Sequence, residues 1–133
     1  VAGPASHAIP PLFDWPDELR DEVLAGEVIV DGGSELNGQE LARFDPEHLA
    51  RFLEQIDEEI DAVAITGVFS PVVPDHELAA KEVVNEVLGD LPVSLSHGIG
   101  ALGLLERENA CALNAALLSV AARIVDGWSP LPR

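Results

Sequence analysis

The residues best suited to chemistry lie at the end of a predicted strand at 93–96, where Ser96 is followed by His97. Loops at the carboxyl ends of strands in α/β proteins commonly carry function. Histidine is also the side chain whose ordinary pKa suits proton transfer near neutral pH. His97 is therefore the leading candidate among the four histidines. A histidine that merely caps a turn is the alternative, and the sequence leaves it open.

A second polar group lies in the final predicted helix, where Glu106, Arg107 and Asn114 occur in an otherwise apolar, alanine-rich stretch. A buried polar side chain in such surroundings needs a hydrogen-bond partner. Two interpretations are open: an Arg–Glu network that caps the helix, or a polar cluster that faces a ligand or partner. The candidate functional residues are Ser96, His97, Glu106, Arg107 and Asn114, and the sequence assigns a catalytic role to none of them.

The glycine-rich segment 98–103 reads G-x-G-x-x-G and lies between a predicted strand and a helix, as dinucleotide sites do. The required acidic residue about 20 positions further on, at the end of a second strand, is missing. No βαβ unit is completed after this loop, and the chain has no P-loop. We therefore predict a tight turn at 98–103 and no cofactor-binding residues in this chain.

The remaining histidines and the single cysteine predict no metal site. His7, His48 and His76 lack the H-E-x-x-H spacing that places two ligands on one helix face. His48 and His76 are interpreted as surface histidines of an acidic protein. Cys111 lies among alanines and a leucine, so we interpret it as a small buried hydrophobic residue. One cysteine also excludes an intrachain disulfide.

The predicted helices and strands must position these candidate residues. Residues 1–16 are proline-rich and predicted to be irregular, and Asn37-Gly38 predicts a hairpin over 27–43. The predicted helices are 17–25, one that begins at Asp45-Pro46, one from Pro74 to Gly89, and 104–125; the predicted strands are 62–69 and 93–96. This order predicts a single α/β domain over 1–133, with a hairpin followed by alternating helices and parallel strands in a two-layer or three-layer arrangement.

The net charge of the chain excludes some classes of partner. The net charge is −17, from 24 acidic and 7 basic side chains, which argues against nucleic acid and anionic membrane as partners. Lys81 is the only lysine, and this acidic, lysine-poor surface predicts a halophilic source; a GC-rich genome is the alternative.

No stretch approaches the roughly 18 apolar residues of a membrane span, and no signal peptide is visible. With one thiol, the prediction is a cytoplasmic protein.

Four short motifs occur in a fixed order: Val68-Phe-Ser-Pro-Val-Val-Pro-Asp-His-Glu77, Pro92-Val-Ser-Leu-Ser-His97, Leu104-Leu-Glu-Arg-Glu-Asn109 and Leu113-Asn-Ala115. Together they resemble the N-terminal domain of the hydantoinase A / 5-oxoprolinase family. The resemblance covers roughly 27–118. One departure is Val73, where the family often has asparagine before the proline.

The resemblance implies ATP-dependent hydrolysis of cyclic amides, or a carboxylase subunit on the same plan, in an actin-like ATPase architecture. ATP and Mg²⁺ are implied for the family, but its G-G-T-F-type phosphate loop is missing from this sequence. The chain also contains no Met, which predicts a processed, trimmed or partial chain.

The predicted function is a fragment or subunit of such an enzyme, lacking a complete active site and inactive alone. Its partners would be the remaining domain or subunits, and homo-oligomerisation stays open. The alternatives are a non-catalytic interaction or regulatory module and a small-ligand-binding domain.

Overall fold

The computed structural model describes residues 1–3, 10–100 and 103–127. Helices and short strands alternate along the chain, so the predicted α/β class is confirmed. The elements are α1 (Asp17–Val23), α2 (Pro46–Glu54), β1 (Val63–Ile65), α3 (Asp75–Leu88), β2 (Val93–Leu95), a 3₁₀ turn (Ser96–Gly98) and α4 (Leu104–Gly127).

The two strands pair in parallel, as predicted, with Val63, Ala64 and Ile65 opposite the three residues of β2. Helix α3 makes the crossover between them, which is the usual connection for adjacent parallel strands. Both α3 and α4 pack against β1 and β2, and α2 packs on α3. The carboxyl ends of both strands therefore lie together, beside the first turns of α3 and α4.

Capping residues in the sequence determine where the helices begin and end. The Asp45 carboxylate accepts a hydrogen bond from the His48 amide at 2.9 Å, and Pro46 occupies the first helical position of α2. Helix α3 is capped at its carboxyl end by Gly89, which has a φ of +80° that favours glycine. Leu49 and Leu53 of α2 join the core cluster, whose buried members are Val30, Leu49, Leu53, Ile65, Ala80 and Val84.

The region predicted as a hairpin forms the expected turn, but its two arms make little β-sheet pairing. The Glu35 amide donates to the Gln39 carbonyl at 2.7 Å around the Asn37-Gly38 turn. Ser34 and Glu40 form a single antiparallel bridge. Gly33, with a φ of +83°, turns the chain away immediately before the bridge. The strand predicted over 62–69 is likewise reduced to 63–65, and Phe69 has a φ of +50°.

Helix α4 differs from the rest of the described chain because much of it is both apolar and exposed. No charged residue occurs between Glu108 and Arg123. By length and composition alone α4 could cross a membrane, with a mean hydropathy of 1.4 over 18 residues. The expectation that no stretch comes near this length was therefore wrong, because α4 continues through alanine and leucine beyond its polar first turns.

Candidate functional site

A buried carboxylate lies at the centre of the candidate site. The Glu77 side chain is fully buried in the first turn of α3. Its Oε1 accepts hydrogen bonds from the Gly67 amide, at 2.8 Å, and from the Ser96 hydroxyl. Its Oε2 accepts from the His97 amide at 3.0 Å and lies 2.8 Å from His97 Nδ1. Both carboxylate oxygens are thus satisfied by groups that follow β1 and β2.

The parallel topology brings these groups together. Gly67 follows β1 by two residues, and Ser96 and His97 follow β2 directly. Because the carboxyl ends of parallel strands share one edge, the donors converge on a carboxylate presented by the crossover helix. Ser70, in the turn after Gly67, lies 3.2 Å from Ser96 through their hydroxyl oxygens. The expected placement of Ser96 and His97 at a strand end is confirmed.

The hydrogen bonds decide the ionisation of Glu77. Burial alone would raise its pKa, but hydrogen bonds from Ser70, Ser96 and His97 outweigh burial and lower the pKa below its ordinary value. Glu77 is therefore ionised at neutral pH.

The charge on Glu77 fixes the tautomer of His97. An ionised carboxylate can only accept hydrogen bonds, so His97 Nδ1 is the donor and Nε2 of the neutral ring is the acceptor. The His97 side chain is 28% exposed, so its ring reaches solvent. An imidazole oriented in this way by a carboxylate can act as a general base.

A buried guanidinium balances the buried carboxylate. Arg107, in the first turns of α4, is fully buried and donates through one terminal nitrogen to the Gly67 carbonyl. Burial lowers the pKa of Arg107, and the charge of Glu77 opposes that shift. Gly67 therefore bonds to Glu77 through its amide and to Arg107 through its carbonyl.

Only a glycine fits comfortably at position 67. A Cβ there would lie 3.2 Å from Cγ of Glu77 and 3.2 Å from Cβ of Ser70. Both distances are tighter than ordinary van der Waals contact. We call the set Gly67, Ser70, Glu77, Ser96, His97 and Arg107 the Glu77 cluster.

The five sequence candidates divide into two groups. Ser96, His97 and Arg107 meet in the Glu77 cluster, so Arg107 contributes to the buried site. Glu106 is exposed on α4. Asn114 lies apart and donates to the Ser94 hydroxyl of β2 at 2.9 Å.

Glu77 was missed as a site residue, although it ends the first quoted motif. Its signal is an acidic residue in the first helical turn that follows a buried strand.

The structure also tests the predictions made for Cys111 and His76. Cys111 is buried against β2, with Sγ 3.1 Å from the Ser94 carbonyl, and burial raises the pKa of its thiol. His76 is not a simple surface histidine: Nδ1 accepts from the Gly33 amide at 2.9 Å, and Nε2 lies 2.9 Å from a Glu40 oxygen. Across the described ranges, no group of three His, Cys, Asp or Glu side chains could hold a metal ion.

The sequence of residues 6–88 matches the family described as the hydantoinase/oxoprolinase N-terminal region. This is more than half of the chain, which therefore belongs to that family. Comparison with curated proteins and with solved structures gives no match. The matched range contains Gly67, Ser70 and Glu77, whereas the other members of the Glu77 cluster follow it.

Proposed function

We propose that this chain is a fragment or subunit of an ATP-dependent cyclic-amide hydrolase of the hydantoinase/oxoprolinase type and is inactive alone. Membership of the family supports the enzyme class. The observation that carries the site is the Glu77–His97 pair at the shared end of β1 and β2.

His97 is the proposed general base. Glu77 holds its Nδ1 proton and leaves Nε2 to accept a proton from water as that water attacks the amide carbonyl. Ser70 and Ser96 keep Glu77 ionised, so they act on the reaction through the orientation of His97. A positioned base of this kind contributes about 10²–10⁴-fold to a rate.

The described residues of the Glu77 cluster do not fit ATP. A nucleotide phosphate needs free backbone amides or cations directed at it. The amides of Gly67 and His97 are already bonded to Glu77, and Arg107 is buried against the Gly67 carbonyl. The proposal therefore places ATP and Mg²⁺ in another part of the enzyme, and no step of the base chemistry depends on them.

The test is ATP-dependent opening of 5-oxoproline or hydantoin in the presence of Mg²⁺. We expect no turnover by the chain alone and turnover when it is co-expressed with the products of the neighbouring open reading frames. In that complex, His97→Gln should lower kcat by at least about 10²-fold, and His48→Gln is the matched control. Turnover by the chain alone would contradict the claim that its active site is incomplete. Full activity of His97→Gln would remove the role of His97.

A second candidate is a non-catalytic interaction module. The exposed apolar side chains of α4, including Leu113, Leu117 and Ile124, favour it. In that case the chain would bind its partner with the same affinity with and without His97→Gln, and the complex would open neither cyclic amide.

A further inference from the structure

The imidazole of His76 holds both arms of the turn at 33–41. Its Nδ1 accepts a hydrogen bond from the Gly33 amide at 2.9 Å, and its Nε2 lies 2.9 Å from a carboxylate oxygen of Glu40. Gly33 precedes the Asn37-Gly38 turn and Glu40 follows it. One side chain of α3 therefore bonds to the beginning and to the end of the same turn.

The packing around the His76 ring keeps it in this orientation. The side chain is only 13% exposed. The Phe44 ring stacks on it, with 6.0 Å between the ring centroids and an interplanar angle of 27°. Gly32 approaches from another side, since a Cβ there would lie 3.1 Å from His76 Nδ1. The ring therefore has little room to turn away from its two partners.

The two contacts define the tautomer of the ring. A backbone amide can only donate, so the Nδ1 that faces Gly33 must carry a lone pair. The neutral ring then has its hydrogen on Nε2, which donates to Glu40. An imidazolium has a hydrogen on both nitrogens and therefore has no acceptor in any orientation. Only the neutral ring of His76 can hold both arms at once.

The surroundings of the ring favour uptake of a proton. Acidic residues occur in every segment that packs on it, namely Glu40 and Asp31 in the turn region, Asp45 after the stacked Phe44, and Asp75 and Glu77 in α3. The basic residues of the same segments are Arg43 and Lys81. The negative charges attract a proton to the ring, whereas burial and the Gly33 donor oppose its uptake.

A proton on His76 would change its two contacts unequally. The contact with Glu40 would become an ion pair, but the Glu40 side chain is 61% exposed, and exposed ion pairs contribute little. At Gly33 two hydrogens would face each other. Gly33 is buried, so its amide would lose its acceptor away from water, which is costly. The loss at Gly33 should therefore exceed the gain at Glu40.

We propose that His76 is a pH-sensitive latch, whose neutral ring holds residues 33–41 against α3 and whose protonation in mildly acidic solution releases the Gly33 arm. Histidine is the side chain that ordinarily changes its charge between pH 5 and 8. The latch consists of Gly33, Glu40 and His76, none of which belongs to the Glu77 cluster. It does not depend on the proposed hydrolase activity.

The released arm is connected to the segment that carries the Glu77 cluster. The Ser34 amide donates to the Val68 carbonyl at 3.3 Å. Gly33 also packs closely on Val68, because a Cβ at Gly33 would lie 3.2 Å from Cβ of Val68. Val68 directly follows Gly67. When the latch opens, we expect the Ser34 amide to lose protection together with the Gly33 amide.

The test is NMR spectroscopy of the full chain labelled with nitrogen-15. At pH 7.5 the ring shifts of His76 should show the hydrogen on Nε2. Between pH 7.5 and pH 5 the ring should become protonated. The protection factors of Gly33 and Ser34, corrected for intrinsic exchange rates, should then fall by about 2- to 10-fold. Amides in the middle of α3 should keep their protection and serve as the internal reference.

Two variants separate the contacts of the latch. His76→Asn places a carboxamide oxygen near the position of Nδ1, so it should protect Gly33 equally at both pH values. His76→Gln places an amide nitrogen near the position of Nε2, so it keeps the donor to Glu40 and should leave Gly33 poorly protected at both. His48→Asn is the matched control and should retain the wild-type transition.

Any of four results would overturn the proposal. They are a ring hydrogen on Nδ1 at pH 7.5, a ring that is still neutral at pH 5, unchanged protection at Gly33 or Ser34 after the ring is protonated, and a wild-type transition in His76→Asn. If a variant does not fold, the titration of the wild-type chain still decides between the latch and a fixed contact.

Discussion

The Glu77 cluster and the exposed apolar part of α4 are built in opposite ways. In the cluster, a buried carboxylate has both oxygens satisfied by hydroxyl, amide and imidazole donors. On α4, apolar side chains that include Leu113, Leu117 and Ile124 are exposed. The described part of the chain therefore combines a finished polar site with an uncovered apolar helix surface.

This difference shows which parts of the chain stand alone. The Glu77 cluster draws its groups from the segments that follow β1 and β2 and from α3 and α4, so all of its members belong to this chain. The exposed apolar side chains of α4 are largely in solvent. We expect mutations in the cluster to be costly in the isolated chain, and mutations of these α4 side chains to change its stability little.

The largest effect should come from Glu77→Gln. The amide keeps the size of the side chain but turns one acceptor into a donor that faces other donors, and it removes the negative charge that opposes the burial shift of the Arg107 pKa. Each hydrogen bond to a charged group is worth about 1.5–3 kcal/mol, and Glu77 accepts several, so the loss should exceed about 3 kcal/mol. Urea unfolding should show this loss, whereas exposed Glu82→Gln on the same helix should change the free energy of unfolding by less than about 0.5 kcal/mol. Equal stability of the two variants would refute the structural role of Glu77.

Gly67→Ala should have the next largest effect. Its added Cβ would press on Glu77 and Ser70 at 3.2 Å, and overpacking of this kind costs about 1–3 kcal/mol. Gly98→Ala is the matched control, because a Cβ there meets no atom within 4 Å. Thermal denaturation of both variants would measure the difference, and an unchanged Tm for Gly67→Ala would show that the cluster can relax around a methyl group.

A valine pair compares the buried core with the exposed part of α4. Val84 is 1% exposed in α3 and Val120 is 52% exposed in α4. Val84→Ala should cost about 1.5 kcal/mol or more, since it removes two buried methyl-sized groups and leaves a cavity. Val120→Ala should be neutral in the isolated chain, where alanine also favours the helix. A large loss from Val120→Ala would mean that this part of α4 is packed against the rest of the chain.

The smallest effect concerns pH. Hydrogen bonds lower the pKa of Glu77 below 4.5, so its stabilisation is present above pH 4.5 and is lost as pH falls through the lowered value. Burial raises the pKa of Glu108 above 4.5, so its protonated form favours the folded state, and that contribution is lost as pH rises through the raised value. Each pKa unit corresponds to about 1.4 kcal/mol. Carbon-13 NMR titration should find Glu77 below and Glu108 above 4.5, and the reverse order would contradict both assignments.

Local sequence signals predicted much of the fold. Asp45-Pro46 marked the start of α2, and the predicted ends near Gly89 and Gly26 were close, because capping and glycine conformation depend on a few neighbouring residues. The parallel pairing followed from the alternation of elements. The strand at 62–69 was predicted too long. Its apolar pattern suits a central strand, and the described sheet gives it a ladder partner on one side over three residues only.

The candidate site was only partly predictable. Ser96 and His97 were expected because they end a strand. Glu77 was not, because its partners Gly67 and Ser96 are 10 and 19 residues away in sequence. Arg107 was ambiguous for the same reason, since its partner Gly67 is 40 residues away. Only the three-dimensional arrangement distinguishes a helix-capping Arg–Glu network from a buried counter-charge.

Amide hydrogen exchange on the isolated chain tests the contrast between the two regions most directly. The amides of Gly67 and His97 donate to Glu77 and should exchange slowly. The amides of Val120 and Ile124 lie in the exposed part of α4 and should exchange faster, because a helix with few buried contacts opens readily. Equal protection at all four amides would contradict the claim that the Glu77 cluster is finished while this part of α4 is uncovered.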